Sequence, residues 1–352
     1  MKTYLVTGGA GFIGSNYILR LLESSESMKI INLDALTYAG NLENLQSIEQ
    51  DFRYQFIHGN ICDGTLLENI FSQNKIDYII NFAAESHVDR SIAEPRIFLD
   101  TNVGGAFQLL NAAKQAWEEP GGKFRTGVKF LQISTDEVYG SLGETGLFTE
   151  ATPLDPHSPY SAAKASADLF VKAYVDTYGF PANITRCSNN YGPWQFPEKL
   201  IPLVINNAMN GRNIPVYGDG KNVRDWLHVS DHCRAIQTVL TQAKPSEVYN
   251  IGGNNERRNI EIINLILDAV QRRGYEKSTS RLITYVTDRK GHDRRYGIDP
   301  TKIKTDLGWE PQVSFVEGIK DTVDWYLDHM DWMKKVTDGS YMTYYQQMYG
   351  NR

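Results

Sequence analysis

The stretch 7-TGGAGFIGS-15 decides how the rest of the chain is read. It follows a short apolar run, 3-TYLVT-7, and opens an amphipathic pattern, 12-FIGSNYILRLLES-24, so it sits at a strand–helix junction. Gly8, Gly11 and Gly14 satisfy G-x-x-G-x-x-G, and Gly9, Gly11 and Gly14 satisfy G-x-G-x-x-G. Glycines at these places permit a tight turn, let backbone approach a pyrophosphate and let the helix pack closely on the strand. The N–H groups at the helix start, around Phe12 and Ile13, then face the phosphates. Such a pattern alone is weak. Here Asp34 follows 20 residues beyond Gly14, at the end of the next apolar run, 29-KIINL-33. A carboxylate there accepts hydrogen bonds from a ribose diol and repels a 2′-phosphate, which favours NAD over NADP.

Working outward, further short apolar runs recur at 54-YQFIH-58, 77-DYIINF-82, 128-VKFLQIS-134 and 182-ANITRC-187, with helical patterns between them. Alternation of this kind predicts an α/β fold: a doubly wound, Rossmann-type parallel sheet with helices on both faces. After 188-SNNYGPWQFPEK-199 the pattern changes, predicting a smaller α/β C-terminal lobe. In it, 225–240 reads as a strand entering a helix and 247–253 as another strand, both able to rejoin the main sheet. The expected division is 1–188 with 222–251 for the dinucleotide domain, 189–221 with 252–330 for the lobe, and a Tyr-rich tail, 331–352. The tail is expected to dock.

The 352 residues carry a formal net charge of −6, which argues against general nucleic-acid or membrane-surface binding. No apolar run approaches the roughly 20 residues that span a bilayer. Cys62, Cys187 and Cys233 are odd in number and widely spaced, which favours a reducing, cytoplasmic setting. His228 and His232 are four apart but divided between a strand and a helix start, so no metal site is expected.

Two motifs carry chemistry. Tyr160 and Lys164, in 159-PYSAAKASADLF-170, lie one above the other on a helix face. A lysine ammonium and a cationic nicotinamide near a phenol favour the phenolate, a base able to take a hydroxyl proton while hydride leaves the same carbon. The second motif, 134-STDEVYGS-141, sets Thr135 beside two adjacent carboxylates, Asp136 and Glu137, where a core strand meets a loop. Neighbouring carboxylates raise one another's proton affinity, which suits a pair with one member protonated.

With these residues in place the chain resembles the extended short-chain dehydrogenase/reductases, and its 134–141 segment resembles their nucleotide-sugar 4,6-dehydratase branch. The resemblance implies that Thr135 hydrogen-bonds the reacting hydroxyl, that Asp136 is the acid at O6, and that Glu137 is the base at C5 of a hexose. It implies NAD as a cofactor regenerated in each cycle, dTDP-glucose as substrate, and a homodimer joined through 95–118 and 158–178. A 4-epimerase of the same family would need Thr135, Tyr160 and Lys164 but not the carboxylate pair.

The resemblance runs over nearly the whole chain. On the cofactor side it adds Asn60 and Ile61, in 58-HGNICD-63, and Ala83 and Ala84, in 82-FAAESHVDRSI-92. The family usually has Asp where Asn60 stands; Asn keeps an acceptor oxygen for the adenine amino group. Ser86 and His87 are implied beside the sugar, and Asn102 at a structural helix position. For the nucleotide-sugar it implies Asn189, Lys199 and Leu200, then Pro215 and Tyr217 at the base and Arg224 at the diphosphate. Asn259, Arg289 and His292 complete the set, the last two from 288-DRKGHDRRYGIDP-300.

Overall fold

The computed structural model describes residues 1–346 apart from 25, 289, 338, 340, 342 and 344. The apolar runs form β1 (Lys2–Thr7), β2 (Met28–Asp34), β3 (Tyr54–His58), β4 (Tyr78–Asn81), β5 (Lys129–Thr135), β6 (Ala182–Cys187) and β7 (Val248–Ile251). They pair in parallel, in the order β7-β6-β5-β4-β1-β2-β3. The winding reverses between β1 and β4, and the crevice beyond their carboxyl ends is where such sheets place ligands. Every residue of β5 is buried, so its polar members Lys129, Gln132, Ser134 and Thr135 stand inside the protein rather than on a solvent face.

One polar ladder crosses this core. The Thr7 hydroxyl donates to Asn81 Oδ1 at 2.7 Å, and Asn81 Nδ2 donates to Gln132 Oε1 at 2.9 Å. These residues are register partners on β1, β4 and β5, one layer beneath the glycine loop. Helices Phe12–Glu23 and Val229–Gln242 cover one face of the sheet through Tyr17, Ile18, Cys233, Ile236 and Val239. Helices Gly64–Gln73, Ala106–Trp117 and Pro159–Tyr178 cover the other through Leu67, Leu109, Trp117 and Val171.

Of the two later segments expected to rejoin the sheet, Val248–Ile251 does so and Val223–His228 does not. The latter pairs in parallel with Asn189–Tyr191 and antiparallel with Glu256–Arg258. Only the helix that follows it packs back on the main sheet. Alternation within a short strand specifies a buried face, not which sheet supplies the partner. A second small sheet joins Ile214–Tyr217 to Ile283–Val286. Helices Leu200–Met209, Asn259–Arg272 and Phe315–Asp328 enclose a separate core around Val204, Ile263, Ile266 and Val323.

The tail docks where it is described. Tyr341 is buried, its hydroxyl donates to the Pro197 carbonyl at 3.1 Å, and its ring meets Phe196. Residues 347–352 lie outside the described residues.

Candidate active site

The glycine loop is shaped by close approach. Gly8 has φ +69°, and a Cβ there would stand 2.7 Å from the Ala83 backbone nitrogen. A Cβ on Gly14 would collide with the Gly8 carbonyl, so helix and loop touch only because neither carries a side chain. Asp34, at the end of β2, accepts Ala10 N–H and Leu36 N–H, one on each carboxylate oxygen, both at 2.8 Å. Burial pushes its pKa up and those two amides pull it back. Each oxygen keeps a lone pair for a diol.

Across the cleft, Asn102 donates from Nδ2 to the Glu85 carbonyl at 2.9 Å, and its Oδ1 accepts Glu85 N–H at 2.8 Å. Asn102 thus pins the segment Ala83–Ala84–Glu85–Ser86 from a π-helical turn, Leu99–Gly105. Asn60 lines the cleft with Ile61 and spends one acceptor site on Cys62 N–H.

The helix bearing Tyr160 begins with Ser158, whose hydroxyl and that of Ser161 form a reciprocal capping box, and with Pro159 at its first position. This start places Tyr160 in the first turn and Lys164 one turn below, both buried. Lys164 Nζ donates to the Ile133 carbonyl at 2.6 Å. Burial lowers the Lys164 pKa, against the raising influence of Asp168.

The expected lowering of Tyr160 relies on Lys164 together with a nicotinamide cation; burial and the acidic groups around the phenol act the opposite way. Burial raises its pKa well above the ordinary tyrosine range, Glu137 and Cys187 raise it further, and a hydrogen bond with Thr135 opposes them. These surroundings favour the phenol form of Tyr160, so a positive charge close to it would act in the opposite sense.

Beyond β5 the predicted loop is a 3₁₀ turn, Asp136–Tyr139, capped by Thr135, whose Oγ1 accepts Glu137 N–H at 3.3 Å. At three residues per turn, consecutive side chains diverge by about 120°. That divergence separates the two carboxylates. Asp136 is buried, its Oδ1 accepts the Thr135 hydroxyl at 3.3 Å, and its Oδ2 is buried without a hydrogen-bond partner. Burial raises the Asp136 pKa well above the carboxylate range, Glu137 and Asp225 add to it, and Arg224 opposes them. These surroundings favour the neutral form of Asp136, while Glu137 is half-buried at the cleft.

A single cleft brings together Gly8, Gly11, Phe12, Ile13, Gly14, Asp34, Asn60, Ile61, Ala83, Ala84, Ser86, Thr135, Asp136, Glu137, Tyr160, Lys164, Asn189 and Lys199. Lys199 Nζ donates to the Ser86 carbonyl at 2.8 Å, and Leu200 starts the next helix. His87 is buried at the N-cap of helix Val88–Ala93, outside the cleft lining.

The remaining nucleotide-sugar candidates stand on the lobe. The Tyr217 hydroxyl reaches Asp89 Oδ2 at 3.4 Å, its ring lies 6.0 Å from that of His292, and Pro215 shares its strand. His292 Nδ1 pairs with Asp288 at 2.5 Å. Arg224 is buried, donating to the Val223 and Asp293 carbonyls, with its guanidinium 4.1 Å over the Tyr296 ring. The Asn259 side-chain oxygen is buried with no hydrogen-bond partner. Arg289 lies outside the described residues.

Sequence reasoning missed Thr37, Glu85, Thr101, Cys187, Asn190, Gln195, Phe196 and Glu198 on the cleft wall. Glu198 is the instructive case: a charge in a Pro-rich loop reads as solvated, yet this carboxylate is buried. Among the described residues, no group of three or more His, Cys, Asp or Glu is arranged to hold a metal. His228 ends its strand and caps the following helix, and His232 lies buried within that helix against Asn190. No helix among the described residues is long and apolar enough to cross a membrane.

A doubly wound parallel sheet, a glycine loop answering to Asp34, and a Thr–Tyr–Lys set at the switch point define an extended short-chain dehydrogenase/reductase. The chain belongs to the nucleotide-sugar 4,6-dehydratase family: the family described as GDP-mannose 4,6 dehydratase matches residues 5–322. The dTDP-glucose 4,6-dehydratase of Xanthomonas campestris pv. campestris (strain B100) is 54% identical over 344 residues, 97% of each chain. The crystal structure of dTDP-glucose 4,6-dehydratase from Bacillus anthracis, in complex with NAD, matches with a TM-score of 0.86. It is 50% identical, over 96% of this chain and 100% of that one. A UDP-glucose 4-epimerase from Thermotoga maritima matches with a TM-score of 0.82 at 31% identity, over 93% of this chain and 99% of that one. Fold alone therefore does not separate dehydration from epimerisation.

Proposed function

We propose that this chain converts dTDP-glucose to dTDP-4-keto-6-deoxyglucose with NAD as a resident, recycled cofactor. The observation that carries the reading is the carboxylate pair: a buried Asp136, whose surroundings favour its neutral form, beside Glu137, in one cleft with Thr135, Tyr160 and Lys164. The Gly8–Ala83 approach and the paired amides on Asp34 fit a dinucleotide. NAD, when bound, accepts the hydride from C4 and returns it to C6.

Tyr160 takes the C4 hydroxyl proton, with Thr135 orienting that hydroxyl and Lys164 supporting the base. The C4 ketone acidifies C5–H, Glu137 removes that proton, and Asp136 protonates the C6 hydroxyl as it leaves as water. Glu137 returns a proton to C5 when C6 is reduced. One turnover thus leaves Tyr160 with a proton gained and Asp136 with one lost. Thr135, hydrogen-bonded to both, lies on the shortest route that resets them.

Asn60, Ile61, Ala83 and Ala84 complete the cofactor set. Ser86, His87, Asn189, Lys199, Leu200, Pro215, Tyr217, Arg224, Asn259, Arg289 and His292 serve the nucleotide-sugar. Residues 1–188 with 222–251 act as the dinucleotide domain, and 189–221 with 252–330 as the lobe. The protein is cytoplasmic and works as a homodimer: helices 95–118 and 158–178 expose Ile97, Leu99, Phe107, Leu169 and Phe170 on one side of the fold.

The test is a parallel assay of dTDP-, UDP-, GDP- and CDP-glucose and GDP-mannose for a 4-keto product absorbing at alkaline pH. Turnover with dTDP-glucose foremost supports the reading. Formation of dTDP-galactose without a 4-keto product would replace it with epimerisation.

A further inference from the structure

Glu198 is the most buried unexplained charge on the cleft wall, with its side chain 1% exposed. Two groups from distant parts of the chain meet it. The Tyr38 hydroxyl donates to Oε1 at 2.8 Å, and Arg90 Nε approaches Oε2 at 3.3 Å. The Arg90 guanidinium also lies 3.6 Å over the Tyr38 ring, so the three side chains form a closed triangle. Burial raises the Glu198 pKa, while Lys199 and Arg90 hold it down.

The triangle joins three elements that line or flank one cleft. Tyr38 belongs to the loop that leaves β2 directly after Asp34, and its neighbours Thr37, Ala39 and Gly40 face the cleft. Arg90 belongs to the helix that follows the nicotinamide-side segment 83–86. Glu198 belongs to the lobe loop 195–199, which is backed by Tyr341 through Phe196 and Pro197. Phe196 meets the Tyr38 ring edge-on at 5.7 Å, adding an apolar contact to the same seam.

We propose that Tyr38, Arg90 and Glu198 form a latch across the mouth of the cofactor cleft, which must open for NAD to enter or leave. The inference rests on the NAD-dependent reading above. A cofactor restored in every cycle has no need to exchange, and a seam between the loop after Asp34 and the lobe would lower exchange. In this role the three act on the path of the cofactor, whatever Glu198 contributes to the cleft wall that it shares with Glu137 and Lys199.

The test uses purified protein loaded with adenine-labelled NAD and chased with excess unlabelled NAD, alongside loading of the stripped protein. Tyr38→Phe removes the hydroxyl but keeps the ring under Arg90, and Glu198→Gln removes the charge but keeps the shape. Losing a buried hydrogen bond to a charged group should speed release by about 10- to 100-fold. A latch also predicts faster loading in the same variants, because one barrier governs both directions. Release unchanged in both variants would overturn the proposal. So would faster release with loading unchanged or slower, which is the signature of a weakened binding site. Should the wild-type chain hold no NAD at all, the functional reading fails first, and the latch falls with it.

Discussion

Replacing Asp136 by Asn should separate the acid from the rest of the machinery. Asp136 is buried, and burial, Glu137 and Asp225 all favour its neutral form. Asn copies that neutral shape, and its side-chain oxygen can keep the contact with the Thr135 hydroxyl. What it lacks is a transferable proton. General acid catalysis contributes about 10²–10⁴ in rate, or roughly 3–5.5 kcal/mol at 1.36 kcal/mol per decade. Formation of 4-keto-6-deoxy product should fall by that factor at pH 7.

In the proposed mechanism Glu137 removes the C5 proton, so that step should persist. Substrate recovered from D₂O should still carry deuterium at C5, read by mass spectrometry. Stability gives an independent check. A carboxyl whose folded pKa is raised binds its proton more tightly in the native state. It therefore costs stability as pH rises from the unfolded value of about 3.9 towards the folded one. Asp136→Asn removes that cost, so its urea midpoint should gain on the wild type between pH 4 and neutrality. Wild-type product formation in the variant, or a variant that loses ground as pH rises, would refute the assignment.

Glu137→Gln should abolish C5 deuterium incorporation while C4 oxidation continues, detected as a reduced-nicotinamide absorbance that no longer decays. Asn102→Ala leaves both the N–H and C=O of Glu85 without their partner. At about 1–3 kcal/mol for each of the two buried groups, urea denaturation should register a loss of about 2–6 kcal/mol, and equilibrium dialysis weaker NAD binding. Leu169→Glu places a charge on the exposed apolar face of helix Pro159–Tyr178. On the homodimer reading proposed above, sedimentation should then show monomers with an unchanged fold.

The strands of the main sheet were legible because their apolar residues cluster in short runs between helical patterns, although 128-VKFLQIS-134 also takes Lys129, Gln132 and Ser134 into the buried strand. Val223–His228 was misplaced because a short strand does not name its partner. The glycine loop, Asp34 and the Tyr160–Lys164 pair were legible because each is a local constraint: a turn that admits no Cβ, an acid at a strand end, a four-residue helical spacing.

The sequence by itself determined the cofactor loop and the list of reactive groups, since backbone geometry and residue chemistry act within a few positions. Only the tertiary structure decided their protonation and their partners. Burial by surrounding elements favours the neutral forms of Asp136 and Tyr160. Glu198 meets Tyr38 and Arg90 across gaps of more than a hundred residues. Burial and long-range charge are properties of the packed chain, and no window of sequence contains them.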